Sequence, residues 1–164
     1  MRFIPQRHYN DCAFACVAML LDAFNGVLNY YSLPLFLLSN PSLFDMRSIL
    51  KLNNIESRTY YMKDKNLSLV ETTPIIIHSK SLFAYHFSVI TEIGENKSLV
   101  YNPASFGKRW IANKRIEKKW TGYYLLIKNK DTYIEKRHFY IPYFLCLFLK
   151  IFIIGFIVVL ITLF

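Results

Sequence analysis

Apolar side chains recur at helical spacing near the start of the chain. From Asp11 to Phe24 they stand three and four positions apart, which predicts a helix. Asp11 or Asn10 is the expected N-cap, because a short polar side chain accepts hydrogen bonds from the first N–H groups of a helix, and Asn25-Gly26 is a typical stop. The same reasoning predicts a second helix from Ser42 to Leu52.

Extended segments follow these two helices. They are rich in β-branched and aromatic residues and are bounded by turn residues, which is typical of strands. The predicted strands are Glu56–Met62, Pro74–His78, His86–Ile93, Ser98–Tyr101 and Tyr123–Lys128. Gly94-Glu95-Asn96 predicts a hairpin turn, and Ile111 to Trp120 predicts a short amphipathic helix. Helices followed by a mainly antiparallel sheet indicate an α+β domain.

The end of the sequence is almost continuously apolar. From Ile141 to Phe164 the only formal charge is Lys150, and the run exceeds the roughly 20 residues that a helix needs to cross a bilayer. A buried core hairpin is the alternative, but the preceding sequence offers no place to house it. We therefore divide the chain into a folded domain at residues 1–130, a basic juxtamembrane linker at 131–140 and a transmembrane helix at 141–164.

Composition and charge narrow the class of protein. A content of 54% hydrophobic and 17% aromatic residues, against 19% charged, excludes a disordered chain. The net charge of +9 suits nucleic acid, anionic lipid or an acidic peptide, but no basic-aromatic array is regular enough to predict nucleic-acid binding. Clustered positive charge beside an apolar segment favours a membrane protein whose N-terminal domain faces the cytoplasm. The basic pairs are Lys108-Arg109, Lys114-Arg115, Lys118-Lys119 and Lys136-Arg137.

The cysteines indicate thiol chemistry in a reducing compartment. Cys12, Cys16 and Cys146 are an odd number with no disulfide framework, and no export signal precedes the first helix. Cys12 would stand at a helix N-terminus, where free N–H groups and the macrodipole lower the pKa of a thiol, so it is a candidate nucleophile. A small buried hydrophobe is the alternative for Cys12, and it is our interpretation of Cys16, one turn later.

A cysteine nucleophile needs a base, and histidine is the usual one. The candidates are His8, His78, His86 and His138. His86 opens a predicted strand, and the predicted hairpin would let Asn102 orient its ring as the third member of a Cys-His-Asn arrangement. Spacing alone does not decide, because strand histidines are more often structural and Asn-Pro pairs are usually turns. Neither His78 nor His86 has a third soft ligand nearby, so we expect no metal and no cofactor.

Four segments together resemble a known domain. They are Gln6-x-x-x-x-Asp11-Cys12-Ala13-x-Ala15-Cys16, His86-Phe87-x-Val89-Ile90, Tyr101-Asn102-Pro103-Ala104 and Lys119-Trp120-Thr121-Gly122-x-x-Leu125-Leu126. In this order, over residues 1 to about 128, they resemble the bacteriocin-processing peptidase domain of peptidase-containing ABC exporters. That domain forms the N-terminus of the exporters and cleaves leader peptides after a double-glycine motif.

The resemblance implies a papain-like cysteine peptidase fold and a role for each matching residue. Cys12 would be the nucleophile, His86 the general base and acid, and Asn102 the residue that orients the ring. Gln6 matches the glutamine whose amide, with the backbone N–H of Cys12, stabilises the oxyanion. The implied substrate is a precursor with a helical leader whose apolar face lies in a groove and whose Gly-Gly or Gly-Ala end enters a narrow cleft.

Two residues depart from the family pattern. Ala13 replaces the glycine that usually follows the cysteine, and Asn102 replaces the usual aspartate, leaving a neutral orienting group. We therefore keep a second hypothesis, a catalytically weak or inactive leader-binding module or subunit of a split ABC exporter. A third, a membrane structural protein with Cys12 as core filler, leaves Gln6 and His86 unexplained.

Family exporters continue with membrane spans and a nucleotide-binding domain, whereas this sequence contains no Gly-x-x-x-x-Gly-Lys-Ser/Thr phosphate loop. We therefore expect no ATP hydrolysis by the chain itself. It would act as a stand-alone membrane-tethered peptidase, as a subunit of a split exporter, or as a truncated transporter. The expected partners are the precursor peptide, the lipid bilayer and ABC exporter subunits. The expected location is the cell membrane, with a single pass.

Overall fold

The computed structural model describes residues 1–8, 10–25, 41–80, 84–105 and 107–128. Within these ranges the chain forms three α-helices, one short 3-10 helix and six strands. Their bounds in chain order are α1 Cys12–Asn25, α2 Leu43–Leu52, β1 Ser57–Tyr61, the 3-10 helix Leu67–Leu69, β2 Ile75–Lys80, β3 Tyr85–Ile93, β4 Lys97–Tyr101, β5 Lys108–Ala112, α3 Asn113–Lys119 and β6 Trp120–Ile127.

The six strands form one antiparallel sheet in the order β1-β6-β2-β3-β4-β5. The predicted α+β class is confirmed, and each of the five predicted strand segments overlaps a strand of the sheet. Strand β5 was not predicted. Its sequence is charged and exposed at a sheet edge, so it lacks the apolar pattern by which a strand is recognised. The helix predicted from Ile111 to Trp120 is shorter, since both of those residues belong to flanking strands.

Helix α1 is buried on nearly all sides. Every residue from Ala13 to Ala23 is less than 9% exposed. The helix shares one apolar cluster with α2, with Val89 and Leu125 of the sheet, and with Met1 and Phe3 of the N-terminal segment. An all-round apolar helix of this kind needs cover on every side, and among the described residues the sheet, α2 and the N-terminal segment contribute to that cover.

The other face of the sheet carries a second apolar cluster. It contains Ile75 and Ile90 of the sheet, Leu67 of the 3-10 helix, and Ile116 of α3. Because strand side chains alternate between faces, Ile75 lies in this cluster and its neighbour Ile76 lies in the cluster around α1. The sheet therefore lies between two apolar clusters, with α1 and α2 on one side and α3 on the other.

Helix α2 begins where the sequence predicts. Ser42 is its N-cap: Ser42 Oγ accepts a hydrogen bond from the backbone N–H of Asp45 at 3.2 Å, and Asp45 Oδ2 accepts one from the backbone N–H of Ser42 at 2.8 Å. This reciprocal capping box satisfies two donors that the helix itself leaves free.

The predicted linker at 131–140 and the predicted transmembrane helix at 141–164 lie outside the described residues. Among the helices of the described ranges, none is long and apolar enough to cross a membrane.

Candidate active site

Cys12 is the first residue of helix α1. The backbone oxygen of Asp11 accepts the first helical hydrogen bond, from the N–H of Ala15 at 2.9 Å, so Asp11, one of the two residues predicted for it, occupies the N-cap position. Its carboxylate accepts a hydrogen bond from the backbone N–H of His8 at 3.1 Å, which fixes the loop that leads into the helix. The Cys12 thiol therefore stands at the N-terminus of a buried helix, and the residue is only 7% exposed.

Burial raises the pKa of the Cys12 thiol above its ordinary value. Backbone N–H groups of Phe87, Ala13 and Cys12 itself act in the opposite direction, since they favour the thiolate, but burial is the larger cause. The expectation that the helix N-terminus yields a low pKa is therefore wrong in sign for the free protein. Cys12 is a neutral thiol near pH 7, and its reaction requires a base.

His86 and Asn102 form a hydrogen-bonded pair. His86 Nε2 lies 2.7 Å from Asn102 Oδ1, across the β3–β4 hairpin. Asn102 Oδ1 also accepts a hydrogen bond from the backbone N–H of Ala104 at 2.9 Å, which fixes this atom as the amide oxygen. Because the oxygen only accepts, His86 Nε2 must donate, and the neutral ring keeps its lone pair on Nδ1.

The pKa of His86 lies below its ordinary value. Burial is the main cause, and the hydrogen bond to Asn102 offsets it in part by stabilising the charged ring. A neutral imidazole with a free lone pair at physiological pH is suited to accept a proton from a thiol.

The N-terminal segment brings Gln6 to the same end of the sheet. The backbone N–H of Gln6 donates to the oxygen of Pro103, next to Asn102, at 3.0 Å. Upstream, Met1 and Phe3 are buried, and Arg2 Nη2 lies 3.1 Å from Asp22 Oδ1 on helix α1. These contacts hold the segment between α1 and the turn after β4.

The predicted residues thus converge, but not all of them touch. Gln6 and Asn102 are linked through Pro103, and Cys12 meets the backbone of Phe87, the neighbour of His86. Within the described ranges no hydrogen bond joins the Cys12 thiol to the His86 ring. Cys16 is fully buried, in agreement with its predicted structural role.

A pocket of about 650 Å³ opens beside Cys12. Its lining comes from α1, α2, β2, β3 and β6 and is mainly aromatic and apolar, and the lining residues that the structure describes include no lysine or arginine. The lining residues are Asn10, Cys12, Ala13, Pro41, Ser42, Leu43, His78, Ala84, Tyr85, Phe87 and Tyr123. His86 is not among them, but its chain neighbour Phe87 lines the pocket and contacts Cys12 through its backbone.

His78 is the pocket residue that sequence reasoning left undecided. Its ring stacks on Tyr85 with centroids 5.0 Å apart, and tilts against Phe87 at 4.8 Å. Thr121 Oγ1 donates to the backbone oxygen of His78 at 2.9 Å, so the contact at 3.0 Å between this hydroxyl and His78 Nδ1 has the ring as donor. Burial lowers the pKa of His78, which leaves a neutral ring that helps shape the pocket.

The backbone requires a glycine at position 122, the last residue of the Trp120-Thr121-Gly122 motif. Gly122 has a φ of +93°, and a Cβ at this position would lie 2.6 Å from the backbone oxygen of Met62. Glycine therefore lets β6 approach the end of β1 while Thr121 holds His78 and Tyr123 lines the pocket.

The described His, Cys, Asp and Glu side chains do not form a metal site. In those ranges no group of three or more His, Cys, Asp or Glu residues is close enough to hold an ion.

Sequence comparison identifies relatives of the chain. The profile of the Peptidase C39 family matches residues 1–132. A curated relative, an ABC transporter ATP-binding protein of Mycoplasma genitalium, is 31% identical over 127 residues. The match covers 75% of this chain and 18% of that relative, so the chain spans about a fifth of the relative's length.

Structure comparison finds the same fold in solved peptidase domains. The double-glycine motif protease of an AMS/PCAT transporter, solved with its leader peptide, has a TM-score of 0.68 at 21% identity, over 77% of this chain and 90% of that chain. The peptidase domain of Streptococcus ComA has a TM-score of 0.67 at 19% identity, over 77% of this chain and 96% of that chain. At these identities the likeness establishes the fold.

Proposed function

The chain belongs to the Peptidase C39 family of cysteine peptidases, and from this premise we propose that it removes the leader of an exported, ribosomally made peptide. Cleavage would follow a Gly-Gly or Gly-Ala motif, with Cys12 as nucleophile, His86 as base and Asn102 as the orienting residue. The observation that carries the proposal is the 2.7 Å hydrogen bond between His86 and Asn102, which leaves Nδ1 as the basic nitrogen beside the backbone that meets the Cys12 thiol.

The reaction begins with a neutral thiol and a neutral ring. His86 Nδ1 takes the proton of the thiol as Cys12 Sγ bonds to the carbonyl carbon of the last leader residue. The tetrahedral intermediate then collapses, the C–N bond breaks, and the leaving amine receives the proton from His86. Water attacks the resulting thioester, His86 takes a proton from the water, and the leader carboxylate leaves as Cys12 regains its hydrogen.

This sequence requires that Cys12 Sγ and His86 Nδ1 come within hydrogen-bond distance when the leader is bound. Catalytic hydrogen bonds often tighten only in the substrate complex. A bound leader in the pocket would contact both Cys12 and Phe87, the residue that makes the thiol's backbone contact to the strand of His86.

Gln6 would supply the second donor to the oxyanion, with the backbone N–H of Cys12. Its backbone bond to Pro103 supports this role, because it ties the segment to the same turn that holds Asn102. Loss of one oxyanion donor typically lowers kcat by about 10²–10³.

Membrane attachment and export partners are part of the proposal. The solved relatives are domains of transporters, and the apolar sequence from Ile141 to Phe164 is long enough to span a bilayer. We propose a single-pass protein whose peptidase domain faces the cytoplasm and delivers processed peptide to an ABC exporter.

The test is cleavage of a synthetic precursor with a Gly-Gly leader by the detergent-solubilised full chain, read by mass spectrometry. We expect one cut, after the second glycine, that disappears in Cys12→Ala and persists in Cys146→Ala, a matched loss of a thiol from the tail. Cleavage by Cys12→Ala would overturn the proposal.

The second candidate is a leader-binding module that does not cut. The raised pKa of Cys12 and the absence of a described hydrogen bond to His86 favour it. It predicts that wild type and Cys12→Ala bind the precursor equally and leave it intact at every pH.

A further inference from the structure

His78 lies one cross-strand pair away from the backbone that meets the nucleophile. It pairs with Phe87 in the antiparallel β2–β3 ladder, where directly opposed Cα atoms are about 4.5–5.5 Å apart. The backbone N–H of Phe87 reaches the Cys12 thiol, and all three residues line the same pocket. His78 therefore forms part of the pocket wall next to Cys12, where the proposed function puts the Gly-Gly end of the leader.

Neighbouring groups hold the His78 ring in one orientation. Thr121 Oγ1 accepts a hydrogen bond from Nδ1 of the ring at 3.0 Å and donates its own hydrogen to the backbone oxygen of His78 at 2.9 Å. The backbone N–H of Tyr123 donates to the same hydroxyl at 3.4 Å. The ring also packs against Tyr85 and Phe87, with centroids 5.0 and 4.8 Å apart. These contacts fix both the position and the tautomer of the ring.

The hydrogen-bond pattern leaves Nε2 as an acceptor. Since the single hydrogen of the Thr121 hydroxyl goes to a backbone oxygen, Nδ1 carries the hydrogen of the ring and the lone pair is on Nε2. Burial lowers the pKa of His78, so the ring is neutral at physiological pH. Within the described ranges Nε2 makes no hydrogen bond. The ring thus brings a fixed acceptor with a free lone pair to the pocket wall.

Other side-chain acceptors among the described lining residues are occupied or exposed. Ser42 Oγ is engaged in the capping box of α2, and Asn10 is exposed. Tyr85 and Tyr123 are 60% and 48% exposed, and a phenol hydroxyl rotates to suit its surroundings. His78 Nε2 is therefore the acceptor that the fold itself holds in place.

A Gly-Gly segment carries donors that such a pocket must satisfy. Glycine has no side chain, so it presents its backbone N–H and C=O groups to the wall. The lining is mainly aromatic and apolar, and an N–H group that leaves water for such surroundings costs free energy unless it meets an acceptor. An acceptor fixed beforehand removes that cost without a further loss of side-chain freedom.

We propose that His78 Nε2 accepts a hydrogen bond from a backbone N–H of the Gly-Gly segment, which makes His78 a specificity-determining residue. Thr121 acts through His78 as a positioning residue, because its hydroxyl selects the tautomer that accepts. The inference rests on the proposed function and deepens it. Besides small size, the site reads the amide hydrogen of a glycine.

The test measures binding without cleavage, in the detergent-solubilised full chain that carries Cys12→Ala. The probe is a fluorescein-labelled synthetic precursor with a Gly-Gly leader, and its Kd is read by fluorescence anisotropy. Two further peptides each replace the N–H of one glycine by an ester oxygen, which removes the donor and adds no bulk. We expect one ester to bind about 5- to 150-fold more weakly than the amide, as when a buried hydrogen bond loses one partner.

Variants at position 78 assign this preference to the ring. His78→Phe keeps an aromatic ring for the stack and lacks the acceptor, so the amide should lose its advantage over that ester. His78→Gln offers an amide oxygen near the position of Nε2 and should keep part of the preference. His138→Phe makes the same substitution outside the described domain and should keep all of it.

The hydroxyl at position 121 is tested through the tautomer. Thr121→Val lets the ring carry its hydrogen on Nε2, so the preference for the amide should fall. Thr121→Ser keeps a hydroxyl and should restore it. ¹⁵N NMR of the histidine-labelled chain reads the tautomer directly, with the His78 signals identified by their loss in His78→Gln. We expect the hydrogen on Nδ1.

Three results would overturn the proposal. They are equal binding of the amide and both esters, the same loss of affinity for amide and ester in His78→Phe, and a hydrogen on Nε2 in the free chain. If His78→Phe does not fold, the glutamine variant and the NMR spectrum decide.

Failure of the proposed function gives a different result, because cleavage by wild type is measured separately. Binding that depends on His78 without any cleavage would overturn the peptidase and support this inference. Cleavage with no dependence on a glycine N–H would do the reverse. A precursor that does not bind at all would overturn both.

Discussion

The charge at position 102 should set the lower pH limit of catalysis. In wild type, a neutral amide contacts His86 Nε2 at 2.7 Å, and burial holds the pKa of His86 below its ordinary value. Asn102→Asp keeps an acceptor for the N–H of Ala104 and places a negative charge against the ring. An adjacent opposite charge shifts a pKa by about 1–3 units, so the pKa of His86 should rise by that amount.

The direction of the effect on activity follows from the role of the ring. His86 acts as a base only when it is neutral, so activity is lost as the pH falls through its pKa. A higher pKa in Asn102→Asp moves that loss to higher pH, by about 1–3 units. Wild type should remain active at more acidic pH than the variant.

The assay is the pH dependence of kcat/KM with a fluorogenic Gly-Gly leader peptide. Asn96→Asp adds the same charge on the exposed β3–β4 turn and should leave the acid limb in place. An acid limb that stays unchanged, or moves to lower pH, in Asn102→Asp would refute the assignment of His86 as the base.

Three further changes test the thiol and the fold. The rate of alkylation of Cys12 by iodoacetamide should keep rising with pH beyond about 8.5, the ordinary pKa of a thiol, because burial raises the pKa of Cys12. A rate that reaches its plateau below pH 7 would contradict this. Gly122→Ala should lower the free energy of unfolding by about 2 kcal/mol or more, through its φ of +93° and the close Met62 oxygen, and an unchanged Tm would refute the clash. Arg2→Gln should cost about 1–3 kcal/mol in denaturant unfolding, because the Asp22 carboxylate stays buried without its cation; a neutral effect would show that the ion pair is dispensable.

Much of the fold follows from local pattern. Helix α2 carries its own capping box, and the β3–β4 hairpin carries its own turn, so short-range chemistry was enough to predict both. Strand β5 could not be predicted from local pattern, because it is held by pairing with β4 and has no apolar pattern of its own.

The site was predictable in part. The hairpin register that brings Asn102 to His86 is a local property, and the structure places the two side chains in hydrogen-bond contact. The direction of the pKa shift of Cys12 could not be predicted from the sequence, because it depends on how deeply the packed domain buries the thiol. The face of the sheet to which His78 points could not be predicted. Strand β2 is buried on both faces, so its consecutive isoleucines do not show which face is the interior one.

The most direct test of the central claim is covalent capture of the nucleophile. A leader peptide that ends in Gly-Gly chloromethyl ketone is incubated with the full chain, and the modified residue is identified by mass spectrometry after digestion. We expect one adduct, on Cys12, that is blocked by an excess of intact precursor. An adduct on Cys16 or Cys146, or no adduct while the precursor is being cleaved, would contradict the account.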